Sequence, residues 1–245
     1  MINRSELEGL GEIEGTIYLT GHKSPDMDTV GSSIAAAAML RELGYDAQAV
    51  VLGPINSETE YVLKAAGVEI PPIMEDLSGQ NMILLDHNEY LLSGAGLEDA
   101  RILAIIDHHG AGNIRSGSQL IYDTRPLGST ATIVWIRCRN YGIEISPEIA
   151  YVMVGSILSD TRNLTSNTTT FADREALKAL SQLAGITDTD AMYQEMFKES
   201  LSYGIRRTRR FFTVITRSTR AAGPNSRSAV STSMMKRPPA TWQNA

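Results

Sequence analysis

Three apolar runs in this sequence end in aspartate and histidine, and that pattern limits the fold more than any other feature. Thr16-Ile17-Tyr18-Leu19-Thr20-Gly21 runs into His22, with Pro25-Asp26-Met27-Asp28 just after. Met82-Ile83-Leu84-Leu85 runs into Asp86-His87-Asn88-Glu89, and Ile105-Ile106 into Asp107-His108-His109-Gly110. A fourth acid, Asp160, closes Ile157-Leu158-Ser159-Asp160. Short apolar runs that stop at turn residues read as buried strands. All 4 histidines of the chain fall in these clusters.

Strands are expected at 16–21, 47–52, 81–85 and 101–106. Helical patterns fall between and after them, at 29–43, 57–66, 129–141, 147–158, 173–183 and 188–198. Asp28 or Thr29 can cap the first helix, with Gly44 to end it. Gly67 ends the second, and Ser146 followed by Pro147 starts the fourth. Apolar strands alternating with helices predict an α/β fold, a mostly parallel sheet with helices on both faces. In such sheets ligands bind beyond the carboxyl ends of the strands. The Asp/His clusters sit at those ends.

Of the 245 residues 42% are apolar, enough for a sizeable core. Cys138 is the single cysteine, which excludes an internal disulfide and a cysteine-ligated zinc. It fits a reducing, cytoplasmic setting. The polar start shows no signal-peptide core, and no apolar run approaches the ~20 residues of a membrane span. The net charge of −6 hides an asymmetry. Residues 206–245 hold 9 Arg/Lys and no Asp or Glu, which leaves 13 basic against 28 acidic residues in 1–205. So acidic a body argues against a nucleic-acid groove.

The tail breaks the pattern in other ways too. From Arg206 periodicity is lost and Ser, Thr, Arg and Pro dominate, as in a disordered basic segment. A reading-frame shift is a second explanation. Phe211 to Thr219 and Ser233 to Pro238 can both be encoded by codons whose neighbouring frame reads acidic and helix-like.

His22, Asp26 and Asp28 share one short loop able to wrap round a cation. Asp86 and Asp160 add carboxylates from other elements, and Asp107 and His108 add another acid and an imidazole. Crowded carboxylates repel unless protonated or bound to cations. Carboxylate and imidazole without thiolate favour Mn²⁺, Mg²⁺, Co²⁺ or Fe²⁺ over a structural zinc. Five or six ligands suit two ions. Two ions ~3.5–4 Å apart, sharing a carboxylate, can hold a water as hydroxide and clamp phosphoryl oxygens for in-line attack. The expected chemistry is metal-assisted phosphoryl hydrolysis.

Duller roles compete at several positions. Asp107 can brace a loop as readily as ligate. His87 reads as a bracing or packing histidine, and Asp123 and Asp173 as surface or capping residues. No GxxxxGK[ST] loop occurs, and Ser32 and Ser33 lack a nucleophile-elbow context.

Taken together, Gly21-His22-Lys23-Ser24-Pro25-Asp26-Met27-Asp28-Thr29, Asp86-His87-Asn88-Glu89, Asp107-His108-His109 and Ser159-Asp160-Thr161 with Thr168-Thr169-Thr170 resemble the phosphoesterases named for the Asp-His-His motif. Within them the sequence is similar to the manganese-dependent, family II inorganic pyrophosphatases. The resemblance covers residues 16–173. It implies a Rossmann-like catalytic domain over 1–190 and a hydrolase acting on pyrophosphate with two Mn²⁺ per chain, Co²⁺ or Mg²⁺ being alternatives. His22 and Asp26 would hold one ion, Asp28 and His108 the other, with Asp86 and Asp160 bridging both. His109 would contact phosphate, Asp107 would brace the site, and the catalytic residues would be Asp86, His109 and Asp160. A homodimer through edge-strand pairing is also implied, and neither nucleic acid nor membrane is an expected partner.

One departure bears on activity. The family carries a second domain whose Arg and Lys side chains close over pyrophosphate. Here the family-like sequence fades near 205, so 191–205 reads as the start of a linker and 206–245 as an atypical, disordered tail. Without those cations the substrate's charge lacks its clamp and the cleft its lid. The chain is therefore expected to bind metal and hydrolyse pyrophosphate poorly. Competing readings are a phosphodiesterase for short oligonucleotides or cyclic dinucleotides, and a non-enzymatic metal-binding module.

Overall fold

The computed structural model of the protein describes residues 9–201, all within one compact unit. The tail at 206–245 and its expected disorder lie outside the described residues.

Five strands pair in parallel throughout: β1 (Ile17–Thr20), β2 (Ala47–Ala49), β3 (Asn81–Leu85), β4 (Arg101–Asp107) and β5 (Ile121–Thr124). Their spatial order is β2-β1-β3-β4-β5. The chain leaves β1 for one side of the sheet and returns to β3 on the other. Strand order therefore reverses between β1 and β3, which opens a crevice at their carboxyl ends. The loop after β1 carries His22, Asp26 and Asp28, and β3 runs directly into Asp86. Next in the sheet, β4 delivers Asp107-His108-His109 to the same edge.

Strand β5 was not expected. Ile121-Tyr122-Asp123-Thr124 is an edge strand, half exposed along its length, so it lacks the continuous apolar run that marks its neighbours.

Five helices follow as α1 (Met27–Glu42), α2 (Ser57–Ala66), α3 (Thr130–Tyr141), α4 (Pro147–Asp160) and α5 (Phe171–Leu183), and a further helical segment spans 189–201. Met192 and Met196 of that last segment are buried in the main core. Helix α1 starts two residues before the expected position, and its cap is Asp26, which accepts from the Thr29 backbone N–H. Asp28 is thereby freed from capping α1. Helix α4 runs two residues past 158 and carries Asp160 in its last turn.

The helices and the sheet share one large core built on Ile17, Leu19, Ile83, Leu85 and Ile106. The opposite face, where helices were also expected, carries a smaller cluster of Leu77, Met82, Leu84, Leu97, Ile102 and Ile105. Short 3-10 turns and loops between α2 and β4 cover it instead of long helices. Alternate strand residues feed the two cores, as the period-2 geometry of a strand requires.

Close packing of α1 on α4 fixes the depth of the crevice. A Cβ at Gly31 would collide with Ser156 Oγ and come within 3.2 Å of Val152 Cγ1. Ser156 Oγ also donates to the Met27 carbonyl at 3.1 Å, tying α4 to the first turn of α1. Behind Asp160 the chain turns sharply. Arg162, Asn163 and Leu164 all take positive φ, at 49°, 54° and 63°. Left-handed backbone costs ~1–2 kcal/mol at each non-glycine residue. The turn is held by Asn163 N–H to the Leu158 carbonyl at 2.8 Å and Leu164 N–H to Thr161 Oγ1 at 3.0 Å. No helix among the described residues is long and apolar enough to cross a membrane.

Candidate metal centre

Asp86 stands at the middle of the crevice. It leaves β3 with φ of 63° and is 2% exposed. Its Oδ2 lies 3.7 Å from His22 Nε2, and its Oδ1 lies 3.3 Å from His108 Nε2. The two oxygens thus face different histidines, and Oδ1 also lies 3.8 Å from His109 Nδ1. His22 Nε2 also meets Asp26 Oδ2 at 3.3 Å. His108 Nε2 also meets Asp160 Oδ2 at 3.1 Å.

Asp28 sits on the second helix end in the crevice, the N-terminus of α3. It accepts from Ser129 Oγ at 2.7 Å, Thr130 N–H at 2.6 Å and Ala131 N–H at 3.1 Å, and is fully buried. The unpaired amides and partial positive charge of a helix N-terminus favour such a carboxylate. The start of α1 is likewise occupied, by Asp26. Both helix ends therefore hold the protein's own acids.

Asp86, His108 and His109 form one group of ligand atoms within 4.8 Å of one another, and two further groups meet the same limit. The first of the two is His22, Asp26 and Asp86. The second is Asp28, Asp86, His108 and Asp160. Asp86 belongs to both. The crevice thus brings together all six residues that the sequence nominates for metal binding. The charge of Asp160 reaches His22 and Asp26 as well.

The donor set fits divalent cations. His108 Nδ1 lies 3.0 Å from the Leu127 carbonyl, which fixes that nitrogen as the donor and leaves Nε2 to ligate. Yet Nε2 is buried and makes no hydrogen bond, since neither nearby carboxylate oxygen lies in line with it. Without a cation the cluster must hold protons. Burial opposes a charge on His108, but Asp160, Asp86 and Asp28 overcome it and push the imidazole up to about 12. Burial, with repulsion from Asp86 and Asp26, pushes Asp160 up to about 6 against the pull of His108. Burial and the charges of Asp86 and Asp160 raise Asp28 well above the usual carboxylate range. Oxygen and imidazole donors of this kind suit hard or borderline ions such as Mn²⁺ or Mg²⁺.

The family model described as "DHH family, N-terminal domain" matches residues 16–157. This chain belongs to the DHH family. Among curated proteins it is similar to one from an Exiguobacterium species named "Probable manganese-dependent inorganic pyrophosphatase". That match is 40% identical over 185 residues, 75% of this chain and 60% of the relative. A protein of the same name from Archaeoglobus fulgidus is 36% identical over 72% of this chain and 58% of its own length. Among solved structures, a candidate family II inorganic pyrophosphatase from Methanococcus jannaschii superposes with a TM-score of 0.69 at 36% identity, over 75% of this chain and 61% of that one. This DHH chain spans about 60% of the length of the curated relatives it matches.

The remaining motif residues of this DHH domain brace the crevice. Asp107 is fully buried and accepts from Asn88 Nδ2 at 2.6 Å. Its other oxygen takes the backbone N–H and the ring Nδ1 of His109. The His109 ring is 56% exposed, with Nε2 the nitrogen available to a ligand. His87 is buried, with Nδ1 3.1 Å from the Leu85 carbonyl and Nε2 2.8 Å from Ser93 Oγ, a packing role. Asp173 caps α5 from its third position together with Thr170, and also accepts from Gly128 N–H and Thr132 Oγ1. It thereby anchors the loop that leads into α3. Asp123 forms ion pairs with Arg125 and Arg137.

Sequence reasoning gave Thr29 only a capping role and Ser129 and Thr130 none, yet their hydroxyls and amides hold Asp86 and Asp28. Their one signal was position, a small hydroxyl residue at a helix start. That signal reads equally well as an ordinary cap.

Proposed function

We propose that this domain hydrolyses inorganic pyrophosphate with a pair of divalent cations, Mn²⁺ in the first place, Co²⁺ or Mg²⁺ being able to substitute. The carrying observation is Asp86, shared by two ligand groups at the reversal point of the sheet. The similar proteins named as manganese-dependent pyrophosphatases support the metal and the substrate.

His22 and Asp26 would hold one ion and Asp28 and His108 the other, with Asp86 and Asp160 available to both. Such ions would supply an activated water and neutralise phosphoryl oxygens. The protein's own part is to keep Asp28 and Asp86 fixed on buried donors and to surrender the protons that His108 and Asp160 carry. His109, held by Asp107, contacts the phosphate through Nε2. The buried lone cysteine suits a reducing cytoplasm, and the open edge of β5 offers a surface for a homodimer. We expect weak turnover from this chain alone, because the basic clamp implied by the family resemblance belongs to a portion of the relatives that it does not match.

The test is phosphate release from pyrophosphate with Mn²⁺, run beside Asp160→Ala, with metal content measured on both. Two Mn²⁺ per chain and any turnover that requires Asp160 would support the reading. Release of nucleoside monophosphates from a dinucleotide, with pyrophosphate untouched, would replace it with the phosphodiesterase reading.

A further inference from the structure

Both oxygens of Asp86 are held by buried threonine hydroxyls from two different helices. Thr29 Oγ1, in the first turn of α1, donates to Oδ2 at 2.8 Å. Thr130 Oγ1, the first residue of α3, donates to Oδ1 at 3.0 Å. Thr29 is 1% exposed and Thr130 fully buried.

The same two residues also serve the acid private to each ligand group. Thr29 N–H donates to Asp26 Oδ1 at 3.0 Å, and Thr130 N–H donates to Asp28 Oδ2 at 2.6 Å. Each threonine thus ties one group together, by its amide to that group's own carboxylate and by its hydroxyl to the shared one.

An ionised carboxylate offers about four lone-pair directions, two on each oxygen. One hydroxyl on each oxygen leaves one direction per oxygen. The histidine nearest Oδ2 is His22, and the one nearest Oδ1 is His108. Each oxygen thereby keeps one acceptor direction for a cation, with a different histidine nearest to each.

Room for this arrangement is provided at Gly21. A Cβ there would collide with Thr29 Cγ2 and lie 2.8 Å from its Oγ1 and 2.9 Å from the Leu85 carbonyl. Glycine is thus required where β1 ends, so that Thr29 can reach Asp86.

We propose that Thr29 and Thr130 are positioning residues that hold Asp86 as a bridge, one oxygen to each cation, and so make the centre binuclear. This rests on the two-cation reading of the site given above.

The test uses the full 245-residue chain, titrated with Mn²⁺ by calorimetry and examined by low-temperature electron paramagnetic resonance. Thr→Val at 29 or 130 keeps the branched shape and removes the hydroxyl. Thr→Ser keeps the hydroxyl and Thr→Ala removes it, so that pair decides the matter if valine prevents folding. The wild type is expected to bind two Mn²⁺ and show the spectrum of a spin-coupled pair. Val and Ala should lose affinity for at least one ion by about 10–100-fold, the usual effect of removing a partner of a metal ligand. They should also convert the coupled spectrum to that of isolated Mn²⁺, and Ser should restore it. Wild-type affinity and coupling in Val and Ala would overturn the proposal, as would equal losses in Ser and Ala, which would assign the effect to packing. A wild type that binds no Mn²⁺ pair would instead bring down the two-cation reading itself.

Discussion

Asp107 holds His109 twice through one oxygen, accepting from its backbone N–H at 3.1 Å and its ring Nδ1 at 2.9 Å. This bond is the largest influence on the imidazole and raises its pKa, against burial and the neighbouring His108. Asp107→Asn should therefore lower the pKa of His109 in the metal-free protein. Proton NMR titration of the ring would show it. An unmoved titration in Asp107→Asn would mean that the carboxylate does not control the ring.

The metal centre should release protons as it fills. His108, pushed up to about 12, is cationic at pH 7, and Asp160, at about 6, is partly protonated. A cation needs both deprotonated. Mn²⁺ affinity should therefore fall by about a hundredfold or more between pH 8 and pH 6, tenfold per pH unit for each proton displaced. Calorimetry in buffers of different ionisation enthalpy measures the number released. Zero protons released at pH 7 would show that His108 is not a ligand.

Much of this was legible in the sequence because strand ends and ligands coincide. The β3 run is apolar up to Leu85 and polar from Asp86, so element, boundary and candidate ligand come from one pattern. Asp28 shows the limit. As a helix-start acid it read as a possible cap of α1, but Asp26 takes that role and Asp28 caps α3, about a hundred residues away in the chain. Local sequence cannot distinguish a cap on its own helix from one on a distant helix. Strand β5 escaped for a related reason, since an edge strand with one exposed side needs little apolar patterning. Helices expected on the second face gave way to loops, because Leu77 and Leu97 cover it from short turns without any periodicity.

Helix contact should be sensitive to one carbon at Gly31. An added methyl meets Ser156 Oγ and Val152 in a closely packed core. Gly31→Ala is expected to destabilise by about 1–3 kcal/mol, read from urea unfolding midpoints. It should also weaken Mn²⁺ binding, because α1 bears Asp28 and α4 bears Asp160. Ser156→Ala in the same chain removes the colliding oxygen, so the double variant should recover part of the loss. Strict additivity of the two changes would place the strain elsewhere.

Cys138 should be chemically silent in the folded protein. It is 3% exposed, and burial pushes its thiol up to about 12 despite the nearby Arg137. Thiolate is the reactive form. Ellman's reagent should label it within minutes in denaturant and at least a hundredfold more slowly without. Fast native labelling would mean that α3 opens readily toward solvent.

Asp123, paired across the sheet with Ile106, should carry an acid-labile part of the stability. Burial alone would raise its pKa, but bonds from Arg125 at 2.6 and 2.9 Å and from Arg137 at 2.8 Å win and lower it. A carboxyl with a depressed folded pKa stabilises the protein above its unfolded value, about 3.9. That contribution is lost as pH falls through the folded value. Asp123→Asn is expected to cost about 1–3 kcal/mol at pH 7, the range for hydrogen bonds to charged groups. The gap between wild type and variant should be the same at pH 5, begin to shrink below about pH 4, where Asp123 of the unfolded chain takes up its proton, and close as pH falls through the lowered folded value. Urea unfolding at pH 7, 5 and 3.5 measures it. A gap that stays constant to the lowest pH at which the protein remains folded would show that the arginines stabilise through packing rather than through the charge on Asp123.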